Sequence, residues 1–594
     1  MSALESCLSQ SRPVLLVGIN AKYIHINLAL RCLRAYSEKR GNFPLQIQEY
    51  TINQPLDQML EGIYQVQPAV IAFSCYLWNI ELVEKLGDDL KQILPQVPII
   101  CGGPEVSYDA KDFLNRHPWA DGILVGEGEE AFYQLLRGFQ GEISLEQVPS
   151  LVWRQGEHLV ENPLAAPLPL EEIPFPYQEG EDLSNHILYY ESSRGCPFRC
   201  RYCLSSLAGK VRLLPLGRVY EDLAFFLAKG VRQVKFVDRT FNCNREHARG
   251  IWRFLMEHDN GVTNFHFELA AHLLQEEDLE LLRAARKGLF QFEIGVQSTN
   301  EDTIRSIDRT TNFSTIQQVC RTLASFENIH QHLDLIAGLP WEDFASFGRS
   351  FDDVFALRPE QLQLGFLKVL KGSGMHRDAQ RYQIRYRHRA PYEVLQTHVL
   401  SYGDLLRLKE LEMVLELYYN SGRFACTTDY LAGLWDRPFS FFLELGAYFS
   451  AHGYTPTNLT QERQYEALRS FALESRPQVD PWALDSRLLF DLCRHQRPRK
   501  LPQGLHILEM PSKEWVRDQF ARPEVAAFYE NYQDLSQVQL ERTVFCQRFP
   551  FDVQGRQSGP VLCFFNYRRR DLLGHAQVLT LPFDDMVNNH LETV

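Results

Sequence analysis

The amino-acid sequence predicts an α/β chain: first a doubly wound parallel sheet, then an incomplete parallel barrel, then a mostly helical C-terminal domain. Three observations predict it. Short apolar runs alternate with helix-period segments through about residue 370. A proline-rich stretch splits that alternation into two series, and beyond residue 380 the strand signals give way to long helical patterns.

The first series has apolar runs at 14–19, 69–74, 97–101 and 122–125, with a more alternating strand at 45–50. Helical patterns such as LALRCLRAYSEKR and ELVEKLGDDLKQIL lie between them. Five strands with crossover helices make a doubly wound, Rossmann-like sheet, whose ligands sit at the carboxyl ends of the strands. Those ends are rich in Gly and polar residues: GINAKYIH, SCYLWN, GGPEVSYD and GEGEE. This unit is assigned to 1–140. Pro163, Pro167, Pro169, Pro174 and Pro176 mark 141–185 as a linker.

A second series opens near His186, with strands expected at 187–192, 233–238, 265–269, 290–296, 333–337 and 362–369. Six strand–helix units over 186–379 predict a partial (βα)6 barrel with its chemistry at the C-terminal strand ends. Residues 380–594 form the helical remainder, and no internal repeat of solenoid type occurs.

Composition narrows the function. The chain has 594 residues, 45% hydrophobic and 23% charged, the balance of an ordinary soluble globular protein. A net charge of −14 argues against coating nucleic acid. The basic runs RYRHR, RHQRPRK and YRRRD are expected to be solvated faces. No apolar run reaches the roughly 18 residues of a membrane span. The start, MSALESCLSQSRP, has neither the basic nor the apolar region of a secretory signal, so a cytoplasmic location is expected. Most of the thirteen cysteines stand alone in apolar runs, as reduced buried side chains do.

One group of cysteines is spaced for metal. In SSRGCPFRCRYC, Cys196, Cys200 and Cys203 follow a predicted strand at spacing C-x3-C-x2-C. Three thiolates on one short loop each take one iron of a four-iron cluster, and the missing fourth ligand leaves one iron open. Zinc needs a fourth Cys or His, and Cys243 lies forty residues on, past a further strand.

These residues resemble the radical S-adenosylmethionine (SAM) superfamily, and the resemblance runs along the whole barrel. It implies that SAM chelates the open iron and is split by a reduced 4Fe–4S cluster into methionine and a 5′-deoxyadenosyl radical. Tyr202 matches the family's aromatic position near the adenine. The strand ends FVDRTFN (Asp238, Phe241, Asn242), FELAAH (Glu268) and GVQSTN (Gln297, Ser298) look like family SAM contacts. So do Arg309 in IDRTTN and DLIAGLPWED (Asp334, Ile336, Gly338, Pro340). Arg309 has the charge to pair with the SAM carboxylate, and Asp238 or Gln297 to bond ribose hydroxyls. The competing reading is that such residues cap helices.

The N-terminal sheet looks like the cobalamin-binding domain of one large radical SAM class. In that class a serine after the third strand and a Gly-Gly after the fourth accommodate the nucleotide tail of cobalamin, here Ser74, Gly102 and Gly103. Gly126, Glu127, Gly128 and Glu129 also match. Tyr76, Leu77 and Trp78 stand where side chains cover the lower face of the cobalt. His25 lacks the Asp and Gly of the D-x-H-x-x-G motif that ligates cobalt, so it reads as a core or helix-start residue. LGFLKVLKGSGM, APYEVLQT and ELYYNSGRF resemble a C-terminal domain of unknown function found in one subgroup.

The resemblance implies a cobalamin-dependent methyltransferase acting on an unactivated carbon through methylcobalamin and a 5′-deoxyadenosyl radical. Its cofactors are the 4Fe–4S cluster, SAM and cobalamin. Its partners are a small-molecule or peptide substrate and a low-potential donor such as flavodoxin or ferredoxin. The alternatives are radical rearrangement, cyclisation or oxidation without methyl transfer, or a cobalamin sensor with an inactive barrel. RNA methylthiolation is disfavoured, because no second cysteine trio precedes the barrel.

Overall fold

The computed structural model describes residues 12–583 apart from 208, 500, 509, 511, 521, 530–543 and 572–573. The chain divides into two compact units. The first holds the chain up to Gln331 with Gly338–Asp343 and Gly365–Ser401, and the second holds His332–Ala337, Phe344–Leu364 and everything from Tyr402 onward.

The first unit opens with β1 (Val14–Asn20), β2 (Leu45–Thr51), β3 (Val70–Ser74), β4 (Ile99–Gly102) and β5 (Gly122–Leu124). They pair in parallel in the order β2-β1-β3-β4-β5. All seven residues of β1 are buried, because helices cover both faces of the sheet. Leu15, Val17 and Ile19 join one core cluster, and Val14 and Leu16 join the other. The Asn27 side chain accepts from Leu30 N at 3.1 Å and starts the first helix, Leu28–Glu38.

The stretch expected as a linker is not one throughout. Its first half folds as β6 (Leu151–Gln155) and β7 (His158–Glu161), an antiparallel hairpin that extends the sheet to seven strands beyond β5. Trp153 is fully buried there. The prolines that suggested a linker all follow this hairpin.

The barrel region begins with β8 (Ile187–Tyr190). A two-residue pair, β9 (Ser193–Arg194) and β10 (Arg212–Leu213), brackets the cysteine loop. β11 (Gln233–Phe236), β12 (Asn264–Leu269) and β13 (Phe290–Gln297) follow, and β8-β11-β12-β13 pair in parallel. Phe236, Phe267 and Phe292 pack toward Trp252 of helix Arg245–Glu257 or its neighbours. The opposite face is polar. Gln233 bonds Asn264 and Gln291, and one layer up Lys235 and His266 both reach Glu293 at 3.2 Å.

The remaining barrel strands, β14 (His330–Ala337) and β15 (Gln361–Phe366), also form. The first unit then ends with β16 (Arg385–Tyr386) and β17 (Val394–Gln396). Residues 380–401, assigned from sequence to the helical domain, therefore belong with the first unit.

The second unit is mostly helical, as expected. Helices Tyr402–Leu415, Pro438–Ala451, Gln461–Ser475 and Pro481–His495 each bury an apolar face. It also contains an antiparallel sheet that the helical expectation missed: β18 (Val544–Phe549), β19 (Val561–Arg570) and β20 (Ala576–Pro582). Phe490 and Cys493 pack against Phe549, Val561 and Phe565 in one cluster. No described helix is long and apolar enough to cross a membrane.

Candidate active site

The cysteine loop leaves β9 through Gly195, whose φ of +111° favours glycine. Cys200 is buried, and Cys196 and Cys203 are half-buried. The loop is held from several sides. Arg201 N donates to Ile307 O at 3.0 Å, Arg201 Nε to Asp378 Oδ2 at 2.8 Å, and Met375 N to Arg201 O at 2.6 Å. Cys196 Sγ lies 3.5 Å from Thr240 Oγ1, and Arg309 Nη1 lies 3.8 Å from Cys200 Sγ.

The strand ends divide into residues that support the loop and residues that face open space. Asp238 supports it. Its buried carboxylate accepts from Ser192 N at 2.9 Å and from the hydroxyls of Ser192 and Ser193 at 2.7 and 2.5 Å. Burial pushes its carboxyl up to about 7, against the pull of these hydrogen bonds. These bonds tie Asp238 to the backbone and hydroxyls that lead into the loop. Asn242 is occupied likewise, exchanging two 3.0 Å bonds with the Ala270 backbone. Ser298 donates to Glu342 at 2.6 Å and accepts from Asn300 N at 3.0 Å.

Gln297 and Arg309 are different. Gln297 adopts φ +71°, rare outside glycine, and its Oε1 is buried with no protein partner. Arg309 bonds the Tyr202 hydroxyl at 3.1 Å and the Gly295 carbonyl, which keeps the guanidinium beside Cys200. Burial raises the Tyr202 phenol, and Arg309 opposes that rise. Glu268 is half-buried on the polar face of β12, its carboxyl raised by burial and lowered by Arg239. Gly338 takes φ +90°, and a Cβ there would lie 2.7 Å from Val394. Ile336 is half-buried on β14, in the second unit.

Three aromatic side chains in the segments that follow strands of the N-terminal sheet are exposed: Tyr23 is 73% exposed, Trp78 48% and Tyr108 44%. Trp78 stacks on Tyr76 at 4.5 Å and donates from Nε1 to Ile19 O at 3.0 Å. Ser74 is buried and accepts from Asn27 Nδ2 at 2.8 Å. The two glycines differ. A Cβ on Gly103 would lie 2.5 Å from Cys75 O, whereas one on Gly102 meets nothing closer than 3.7 Å. Gly103 therefore serves the turn itself, and Gly102 keeps open space.

Glu127, expected at the cofactor, and His25, expected in the core or at a helix start, both lie where this sheet meets the barrel. Glu127 pairs with Arg194 at 3.1 Å and with Arg212, and Arg194 also reaches Glu129 and Glu191 at 2.7 Å. His25 Nδ1 lies 2.7 Å from the Tyr189 hydroxyl, and burial lowers its pKa. The sequence reading missed Arg194, Arg212, Tyr108 and Arg239. The opposite charges of SSRGC and GEGEE were visible, but nothing local links positions 67 residues apart.

Three family models match the chain in order: "B12 binding domain" over 14–136, "Radical SAM superfamily" over 190–354, and "Protein of unknown function (DUF4080)" over 380–562. The chain carries a B12 binding domain and a radical SAM domain. Among its relatives is the cobalamin-dependent radical SAM methyltransferase TokK of Streptomyces tokunonensis, 28% identical over 57% of this chain and 52% of TokK. Another is 2-(S-pantetheinyl)-carbapenam-3-carboxylate methyltransferase of Streptantibioticus cattleyicolor, 28% identical over the same shares. The chain spans about half the length of the curated relatives it matches. Two solved structures share the fold. OxsB, a cobalamin-dependent SAM radical enzyme, superimposes with TM-score 0.55 at 15% identity, covering 88% of this chain and 81% of OxsB. TsrM, a radical SAM methyltransferase from Kitasatospora setae, gives 0.54 at 16%, covering 66% and 82%.

The residues of this radical SAM protein fit the groups its domains imply. Three unpaired thiols on one anchored loop are the donor set of a site-differentiated cluster. The orphaned Gln297 Oε1 and the Arg309 guanidinium beside Cys200 suit a zwitterionic nucleoside such as SAM. The aromatic strand-end face, with the clearance at Gly102, suits a large flat cofactor bearing a tail.

Proposed function

We propose that this radical SAM protein is a cobalamin-dependent methyltransferase that methylates an unactivated carbon of a small molecule. The observation that carries it is the Arg194 network, which ties the three-thiol loop to the β5 end of the B12 binding domain within one unit. When bound, the cluster with SAM supplies a radical able to take hydrogen from carbon, and cobalamin supplies the methyl group. Arg309 would hold the SAM carboxylate, Gln297 would accept a hydrogen bond from its ribose, and Tyr202 would pack near its adenine. The stacked pair Tyr76 and Trp78 would shield the cobalamin from water. A low-potential protein electron donor completes the system.

The relatives TokK and the carbapenam methyltransferase support methyl transfer. A second reading, cyclisation without methyl transfer, is favoured by another relative. The anaerobic magnesium-protoporphyrin IX monomethyl ester cyclase of Synechocystis is 25% identical over 39% of this chain. The test is anaerobic reconstitution with iron, sulfide and hydroxocobalamin, then titanium(III) citrate, SAM and a small-molecule metabolite extract as the source of substrate, with products read by mass spectrometry. Methyl transfer gives S-adenosylhomocysteine together with 5′-deoxyadenosine. The second product alone supports the cyclase reading, and neither product would overturn both.

A further inference from the structure

Residues 367–396 fold back on themselves as a strap within the first unit. Val369 N donates to Tyr392 O and Val394 N to Leu367 O, each at 2.9 Å. The strap touches two segments of the site.

One is the GGPEVSYD segment after β4. Lys371 Nζ lies 3.3 Å from Glu105 Oε1 and 3.1 Å from Asp109 Oδ2, and the Tyr392 hydroxyl donates to the same Glu105 oxygen. Glu105 is 6% exposed, and burial raises its carboxyl against the pull of Tyr392 and Lys371. Removing either donor leaves a buried acid undercompensated, so the pair fixes the segment in place. Tyr108 lies between the two acids in sequence. Gly372 packs against its ring, where a Cβ would come within 2.4 Å. Glu105 N also donates to Cys75 O at 3.4 Å, beside the loop that carries Tyr76 and Trp78.

The other is the cysteine loop, through Arg201 between Cys200 and Cys203. Met375 N donates to Arg201 O at 2.6 Å, and Arg201 Nε donates to Asp378 Oδ2 at 2.8 Å. A Cβ on Gly374 would lie 2.9 Å from Arg201 Nε, so the approach is close. Gly372 and Met375 are three residues apart, which keeps their two contact points within roughly 11 Å of chain.

We propose that Lys371 is a positioning residue: through Glu105 and Asp109 it sets the separation between the cysteine loop and the segment that borders the cobalamin tail. The assignment rests on the methyltransferase reading, in which SAM held at the cluster also meets cobalamin. Lys371 touches neither cofactor. A misplacement of about 1 Å costs a group transfer up to a hundred-fold. Loosening the strap therefore slows transfer between the two segments and spares the chemistry within either.

The test uses full-length protein reconstituted with iron, sulfide and hydroxocobalamin, as wild type, Lys371→Met, Lys371→Arg and Tyr392→Phe. Iron and bound cobalamin are read by absorbance, and 5′-deoxyadenosine release from SAM by mass spectrometry. Methylcobalamin formed from SAM after reduction is followed in the visible spectrum. Pulsed electron paramagnetic resonance of cryoreduced samples reads the spin–spin coupling between cob(II)alamin and the cluster. Lys371→Met should keep its cofactors and 5′-deoxyadenosine release, form methylcobalamin roughly ten- to hundred-fold more slowly, and show a weakened or broadened coupling. Lys371→Arg should restore most of both. Where Lys371→Met does not fold, Tyr392→Phe, which keeps the ion pairs, is read by the same criteria. A wild-type rate and coupling in the folded variant would overturn the proposal. Loss of every readout together, unrescued by Lys371→Arg, would make Lys371 a support of the fold and overturn it too. If wild type forms no methylcobalamin, the methyltransferase reading fails, and the spin–spin coupling alone still decides the strap.

Discussion

The phenol of Tyr189, on the first barrel strand, lies 2.7 Å from Nδ1 of His25, in the loop after the first strand of the B12 binding domain. The backbone joins at the same place: Ile187 N donates to Ile24 O at 2.8 Å, and His25 bridges Ile187 in parallel. The histidine at the cobalt-ligand position of other cobalamin domains thus serves here as a joint between domain and barrel. Tyr189→Phe should lower stability by about 1 kcal/mol, the net value of one such bond. The visible spectrum of bound cobalamin should not change. Thermal melts and absorbance check both, and a shifted cobalt spectrum would show that His25 had been a ligand.

Anaerobically reconstituted protein should carry about four irons. Replacing Cys196, Cys200 or Cys203 by Ala should abolish the cluster absorbance and 5′-deoxyadenosine formation together. Cys243→Ser should retain both, since its half-buried thiol lies outside the loop. Iron analysis decides it.

The two glycines after β4 should part company on substitution. Gly103→Val should destabilise the fold whatever the ligand, because its φ is +112° and its Cβ would strike the Cys75 carbonyl. Gly102→Val should fold normally and bind hydroxocobalamin at least ten-fold more weakly if the tail passes over it. A titration followed by absorbance, with circular dichroism as the folding control, separates the two effects.

Asp491 offers a pH test far from the cofactors. Buried beside Thr427 and the Cys426 amide, its carboxyl is pushed by burial up to about 6. A carboxyl raised on folding contributes stability that is complete below its unfolded value near 3.8 and lost as pH rises through 6. Unfolding free energy should therefore fall by about 2–3 kcal/mol between pH 4 and 7 from this residue. Asp491→Asn should flatten that part of the profile, as read from urea melts at several pH values.

Much of the fold was legible because parallel strands buried on both faces read as continuous apolar runs, as VLLVGIN and VIAFS do. The antiparallel additions were harder. HLVE is short and half-exposed, and the prolines after it pull the eye toward a linker. The C-terminal sheet lies past a run of helices from Tyr402 to Phe528, with nothing local to mark its pairing. At the site, the cysteine spacing was fully legible. The division of labour among strand ends was not, because a shift of one residue reverses which face a side chain takes. Glu127 and Ser298 were claimed by partners dozens of residues away, which no window of sequence can display.

The bridge between His25 and Ile187 also bears on how the chain assembles. Synthesis delivers the N-terminal sheet before any barrel strand exists, and domains fold as units in that order. When β8 emerges, the folded loop at Ile24 already offers it a backbone acceptor, so the barrel starts from a template instead of a free edge. The same seam shields the outer edge of β8 from pairing with another copy of the chain, a standing hazard of unpaired strands. Cutting the chain between the two domains should therefore yield a barrel half that aggregates and is rescued by adding the N-terminal half during refolding.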